Sequence, residues 1–133
     1  MSAPEFGEVR VFPTNINAGN AASAPSDYGQ WKQAAKMRIT KVTVVPSAAV
    51  TAHATNYATL TVKAGATTLG TIVTDVAGGS WVAGTPFEIT LTGSGKDVEV
   101  STDEVLSAVK SVAGTGVVLT ASEIIFSGPI MRD

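Results

Sequence analysis

The stretch that decides the fold is residues 57–63, Tyr-Ala-Thr-Leu-Thr-Val-Lys, in which polar side chains alternate with small or apolar ones. Successive side chains of a β-strand point to opposite faces. Ala58, Leu60 and Val62 would therefore share one face, with Thr and Lys on the other. This alternation predicts a strand that rests one face on a core.

Similar short segments recur on both sides of this stretch, separated by Gly, Pro, Ser and Asn residues at intervals of about 8–12 residues. The predicted strands are residues 8–12, 37–45, 57–63, 69–76, 87–91, 98–100, 105–112 and 117–126. This spacing predicts an all-β, single-domain β-sandwich or jelly-roll-like barrel of about eight or nine short antiparallel strands, with an irregular N-terminal segment.

Two of these predicted strands leave alternatives open. Within residues 37–45 the apolar phase changes around Lys41, which indicates a bulge or burial on both faces. Residues 105–112 and 117–126 are predicted to form a hairpin across a Gly-Thr-Gly turn. Residues 103–110 also fit a short helical turn, but a strand is favoured because helices of under ten residues are short.

The first 36 residues are predicted to form an N-terminal strand and an irregular arm, ahead of a β-sandwich body over residues 37–133, in one domain overall. The strand ends at Pro13, and residues 14–35 are rich in Asn, Ser, Gly and Pro without any period. Within the arm, Asp27 could cap a short helical turn over residues 30–34. A connection this long is usually functional or disordered, so the arm is a candidate for binding a partner.

Composition narrows the classes of function. The 133 residues include 17 Val and 17 Thr but only 5 Leu, and only 15% are charged, with a formal net charge of −2. No basic patch is available for nucleic acid, and no apolar run approaches the ~20 residues of a membrane span. The N-terminus lacks the pattern of a signal peptide, and the absence of Cys excludes disulfides and thiolate sites.

The pattern of Thr residues points to an assembled protein. Thr occupies the outward positions of several alternating segments, where Lys or Glu would usually keep a monomer soluble. A weakly charged β surface of this kind suits contact with other protein.

Residues that could carry chemistry are few. His53 is the only imidazole, and no Gly-x-Ser-x-Gly motif accompanies it, so we expect it at the surface and predict no catalytic residue. The densest acidic cluster is Asp97, Glu99, Asp103 and Glu104, which could form a carboxylate pair or an oxygen-ligand metal site. A solvated strand face explains the same spacing, and we expect no metal and no cofactor.

Three aromatic residues are candidates for contact with a capsid or with another subunit: Tyr28, Trp31 and Trp81. Trp and Tyr are favoured anchors of protein interfaces. The alternative is that each ring covers one end of the β core. In a different class of function, Trp81, Tyr57 and Trp31 would form a stacking platform for a sugar, with Asp97 or Glu99 as hydrogen-bond partners.

Four segments together resemble a known family: residues 55–62, Thr-Asn-Tyr-Ala-Thr-Leu-Thr-Val; residues 83–91, Ala-Gly-Thr-Pro-Phe-Glu-Ile-Thr-Leu; residues 103–106, Asp-Glu-Val-Leu; and residues 113–119, Ala-Gly-Thr-Gly-Val-Val-Leu. They resemble the small β-rich decoration, or cement, proteins on the heads of tailed bacteriophages. The pattern covers about residues 38–126. It departs from the family at Asp103-Glu104, where Gly-Asp would be expected, and at Leu119-Thr120, where Leu-Pro is frequent.

The resemblance implies a non-enzymatic virion protein, commonly a homotrimer, seated at local three-fold positions of an expanded capsid. Its partner would be the major capsid protein and its location the capsid surface, after synthesis in the host cytoplasm. Two alternatives remain open at this point: a carbohydrate- or receptor-binding module on a virion fibre or tail, and an enzyme built on His53 with a carboxylate.

Overall fold

A computed structural model of the chain describes residues 8–16, 26–32, 36–92, 98–119 and 122–129, the first two ranges as backbone. These residues form ten strands: β1 Glu8–Ile16, β2 Ser26–Lys32, β3 Met37–Arg38, β4 Lys41–Pro46, β5 Tyr57–Ala64, β6 Thr67–Val73, β7 Phe87–Ile89, β8 Glu99–Val100, β9 Val105–Ala113 and β10 Ser122–Pro129. Within these ranges there is no helix long and apolar enough to cross a membrane.

The strands form two four-stranded antiparallel sheets and one small pair. The first sheet has the order β1-β10-β4-β7, the second has the order β2-β9-β5-β6, and β3 pairs with β8. The all-β sandwich predicted from the sequence is confirmed. The structure has ten strands and not eight or nine, because β2 lies in the segment predicted as an irregular arm and the predicted strand 37–45 is divided into β3 and β4.

The core lies between the two larger sheets and is built from alternating positions. Ala58, Leu60 and Val62 of β5 are buried, as the sequence predicts, while the Thr and Lys residues between them are half-buried. The other fully enclosed apolar residues are Met37, Ile39, Val42, Val44, Val50, Ala64, Leu69, Trp81, Ile89, Val100, Leu106, Ala108, Leu119, Ile124 and Phe126.

The two sheets approach each other at both edges of the sandwich. Gly70 in β6 forms a bridge with Leu91, just after β7, and the Thr92 amide donates to the Leu69 carbonyl at 2.7 Å. A side chain at Gly70 would lie 2.4 Å from the Thr90 carbonyl oxygen, so the close approach requires glycine. At the opposite edge β1 lies against β2. The sandwich is therefore close to a flattened barrel.

The change of apolar phase around Lys41 marks a break between two strands. Ile39 donates its amide to the Val98 carbonyl, and Thr40 donates its amide to the Ser127 carbonyl. The chain thus passes from the small β3–β8 pair into the first sheet. This step between sheets, rather than a bulge within one strand, accounts for the phase change.

The structure corrects two predictions for the N-terminal part. Residues 26–32 form β2, which pairs with β9, so the helical turn predicted from residue 30 is wrong as far as residue 32. The first strand continues beyond Pro13 to Ile16, with a register shift between Val11 and Thr14 that accommodates the proline. Both strands pair with strands of the 37–133 body. Residues 17–25 and 33–35 lie outside the described ranges.

The hairpin predicted after residue 105 is also wrong. The segment from Val105 is a strand and not a helical turn, as favoured, but β9 and β10 belong to opposite sheets. Gly114 and Gly116 do have the predicted positive φ, at 60° and 68°. They carry the chain across the sandwich instead of back along the same sheet.

Candidate functional site

On strands β5, β6 and β9 of the second sheet, the outward side chains that the structure describes carry almost no charge. Residues that alternate with the buried ones on β5, β6 and β9 point outward. They are Tyr57, Thr59, Thr61, Lys63, Thr68, Thr71, Val73, Val105, Ser107, Val109 and Ser111. Of these described side chains only Lys63 is charged. We call these residues the threonine face.

The outer face of the first sheet is of the ordinary solvated kind. Its outward side chains on β4, β7 and β10 are Lys41, Thr43, Val45, Glu88, Glu123 and Ile125. Among the described side chains, three of six outward positions on β4, β7 and β10 are charged, against one of eleven on β5, β6 and β9, so the threonine face is the one suited to burial against protein.

A groove opens where the edges of β6 and β7 diverge. Its volume is about 670 Å³. It is lined by Thr71, Ile72, Val73, Asp75, Ala77, Gly78, Pro86, Phe87, Glu88 and Thr90. The lining contains two carboxylates and no Lys, Arg or His. We call this feature the edge groove.

Trp81 belongs to the core, which corrects its prediction as a surface anchor. Its side chain is 1% exposed, and its ring centroid lies 6.0 Å from that of Phe87. Backbone hydrogen bonds in both directions between Trp81 and Val50 hold it there. Its indole Nε1 has no hydrogen-bond partner among the described residues. The sugar platform predicted from Trp81, Tyr57 and Trp31 therefore lacks its first member.

Tyr28 and Trp31 lie in β2, at the edge of the sheet that bears the threonine face. Tyr28 pairs in register with Ala108, and Trp31 pairs with Leu106. Their role as contacts to a capsid or to another subunit stays a prediction. The structure places them on a paired strand and not on a free arm.

His53 organises its own loop. Its Nδ1 accepts hydrogen bonds from the amides of Thr55 at 3.1 Å and Asn56 at 2.9 Å. Asn56 in turn accepts the Thr115 amide through Oδ1 at 3.0 Å, which ties this loop to the one after β9. His53 is exposed, as predicted, and its ring nitrogen serves as a cap for the turn.

The described acidic residues of this cluster have different partners. Glu99 lies 3.9 Å from the Lys36 ammonium, and Glu104 accepts the Ser101 amide within a turn in which Asp103 has a φ of 68°. Asp97 lies outside the described residues. Among the residues that the structure describes, no group of three or more potential metal ligands comes together.

Two features escaped the sequence. The edge groove depends on which strands end each sheet, and no local pattern reveals that. Lys110 is the other: it is 0% exposed on the inward face of β9, and burial lowers its pKa below 10.5. The strict alternation of β9 would have placed Lys110 with Leu106 and Ala108, but the charge of a lysine argues for the opposite face.

Comparison with known proteins yields no relative. A scan against protein-family models, a search of curated proteins and a search of solved structures each found no match to this chain.

Proposed function

We propose that this protein is a non-enzymatic structural component of a virion that decorates the expanded capsid of a tailed bacteriophage. In this role it binds across neighbouring copies of the major capsid protein as a homotrimer and cements them together. The proposal draws on the resemblance of residues 55–62, 83–91, 103–106 and 113–119 to head decoration proteins. The observation that carries it is the threonine face.

The threonine face supports the proposal through its lack of charge. Thr61 lies at its centre on β5, flanked in register by Val109 of β9 and Thr71 of β6. Burying these side chains removes apolar methyl groups from water and desolvates one ammonium group, that of Lys63. The outer face of the first sheet would require the desolvation of Lys41, Glu88 and Glu123.

Cementing follows from binding to the assembled shell alone. A protein that binds only the expanded, assembled capsid stabilises that state by mass action. Contacts that span two capsid subunits must break before the shell can open. A broad, weakly charged sheet face serves this purpose without any catalytic group.

The contact can be tested with one matched pair of substitutions. Thr61→Lys puts a charge at the centre of the threonine face, and Thr43→Lys puts the same charge at the centre of the other outer face, also on the second-to-last strand of its sheet. We expect Thr61→Lys to weaken binding to expanded, decoration-free phage heads about tenfold or more, because an unpaired ammonium would be buried. Thr43→Lys should leave binding within about twofold.

Co-sedimentation with the heads measures the affinity, and thermal unfolding of both variants shows that they fold. Unaltered protein that does not bind expanded heads would overturn the proposal. Equal losses from both substitutions would overturn the assignment of the threonine face. Tyr28→Ala and Trp31→Ala test the predicted anchors in the same assay, since deletion of residues 1–35 would remove β1 and β2 from their sheets.

A further inference from the structure

We propose that copies of this chain associate through one end of the sandwich, the end at which the chain crosses between the two larger sheets. The inference rests on the homotrimer of the proposed function and names the surface that joins its copies. This surface consists of residues 47–56, 74–86 and 114–119, which connect strands of opposite sheets. We call these residues the crossing end.

The strand order brings the three connections to the same end of the molecule. In the second sheet, the register places the start of β5 beside the ends of β6 and β9. In the first sheet, it places the end of β4 beside the starts of β7 and β10. The connections from β4 to β5, from β6 to β7 and from β9 towards β10 therefore lie side by side.

Hydrogen bonds tie these connections to one another. Ala52 donates its amide to Ser80 Oγ at 2.9 Å, and Thr115 donates its amide to Asn56 Oδ1 at 3.0 Å. The first of these bonds joins the connections 47–56 and 74–86, and the second joins 47–56 to 114–119. A surface that is already fixed loses little conformational entropy when it binds.

The crossing end carries exposed apolar side chains. Among the described residues, the large apolar side chains that are exposed are Val76, Val82 and Val118, and all three lie here. Of the 29 residues of the crossing end, 24 are not buried. A standard protein interface involves about 20–30 residues on each side. The size of the crossing end and its exposed valines therefore suit it to contact with protein.

The charge distribution favours a second copy of the chain as the partner. The crossing end contains one Asp and one His, and no Lys, Arg or Glu. Residues close to a rotation axis meet their own copies, so like charges at such an axis repel one another. The opposite end of the sandwich meets this condition poorly, because its described residues include Lys36, Arg38, Glu99, Asp103 and Glu104. The crossing end is the one that identical copies can place around a shared axis.

Charge placed at the exposed valines tests this contact. Val76→Lys with Val82→Lys would bring six ammonium groups together in a homotrimer. The matched control is Ser101→Lys with Thr102→Lys, at two exposed positions of the opposite end. In sedimentation equilibrium we expect the mass of the valine variant to fall from three times 13.5 kDa to 13.5 kDa, while the control keeps the larger mass. Thermal unfolding of both variants shows that they fold.

Cross-linking of otherwise unaltered protein measures the proximity of the copies directly, since the chain has no Cys. Val82→Cys and Thr102→Cys each introduce a single thiol. With a bis-maleimide linker, we expect Val82→Cys to form covalent dimers at least about tenfold faster than Thr102→Cys, because association raises the effective concentration of the thiols at the crossing end.

Three results would overturn the proposal. They are a trimer that survives Val76→Lys with Val82→Lys, cross-linking no faster at Val82→Cys than at Thr102→Cys, and a monomeric unaltered protein, whether or not that monomer binds another protein or a lipid vesicle through this end. Failure of the proposed function is a separate result. Trimeric protein that does not bind expanded heads would remove the role on the capsid and leave the crossing end as the contact between copies.

Discussion

At the scale of the residue, Lys110 is the most unusual position. Its side chain is fully enclosed on the inward side of β9, opposite Leu60 of β5, and burial holds the pKa of its ammonium group below 10.5. At pH values between the lowered pKa of Lys110 in the folded chain and 10.5, the unfolded chain binds more protons at Lys110 than the folded chain does. The free energy of unfolding therefore gains from this residue as pH rises from the folded pKa to about 10.5.

This linkage gives a prediction for Lys110→Met. The unfolding free energy of the unaltered protein, minus that of the variant, should increase as pH is raised towards 10.5. Urea unfolding at a series of pH values from neutral upward measures the difference. The same subtraction for Lys63→Met, on the outer face of β5, is the control, and an equal slope for both variants would contradict the prediction.

At the scale of the element, the close packing of β10 against the link between β3 and β4 leaves no room for a side chain at Gly128. A methyl group at Gly128 would lie 1.6 Å from the Arg38 carbonyl oxygen and 3.2 Å from the Thr40 amide nitrogen. Both neighbours are backbone atoms, which cannot swing aside as a flexible side chain would. Glycine is therefore required where the small β3–β8 pair joins the first sheet.

We expect Gly128→Ala to lower the free energy of unfolding by about 2–3 kcal/mol, because the overpacked backbone must shift. Gly79→Ala is the comparison: Gly79 has a φ of 85° and no atom near the added methyl group. Gly79→Ala introduces backbone strain alone and should lower the free energy of unfolding by about 1 kcal/mol. Denaturant unfolding of both proteins decides the matter, and a loss at Gly128 no larger than that at Gly79 would contradict it.

The elements also show how far sequence reasoning reaches. Alternation identifies β5 and its buried face, because Ala58, Leu60 and Val62 are the only apolar choice there. It fails for β9, where Val105 and Val109 on one face compete with Leu106 on the other. Alternation also does not reveal that β9 and β10 lie in different sheets, since a turn with positive φ suits a hairpin and a crossing between sheets equally.

The candidate site residues likewise divide into those that the local sequence predicts and those whose position depends on distant strand pairing. Exposure of His53 was predicted from its polar loop, whereas burial of Trp81 depends on its pairing with Val50, some 30 residues earlier in the sequence. The threonine face was indicated by outward Thr residues. Its contrast with the charged face of β4, β7 and β10 appears only when the strand order is known.

At the scale of the whole molecule, the proposed homotrimer has a direct consequence for mass. Sedimentation equilibrium of the purified protein should give three times 13.5 kDa. Thr61→Lys should leave this mass unchanged, because we propose that the threonine face binds the capsid and not another copy of the chain. A monomer would contradict the trimer, and a trimer lost in Thr61→Lys would assign that face to contacts between copies.

The positions of β1 and β2 have a consequence for synthesis. Val9 pairs with Gly128, and Tyr28 pairs with Ala108, so β1 and β2 can pair only after the more distant strands β10 and β9 have been synthesised. Neither sheet can be completed before these later strands are available, and such non-local pairing slows folding. During that interval the nascent chain has unpaired strand edges, which are prone to aggregate. We therefore expect the yield of folded protein to depend on chaperones, on growth temperature and on the rate of translation.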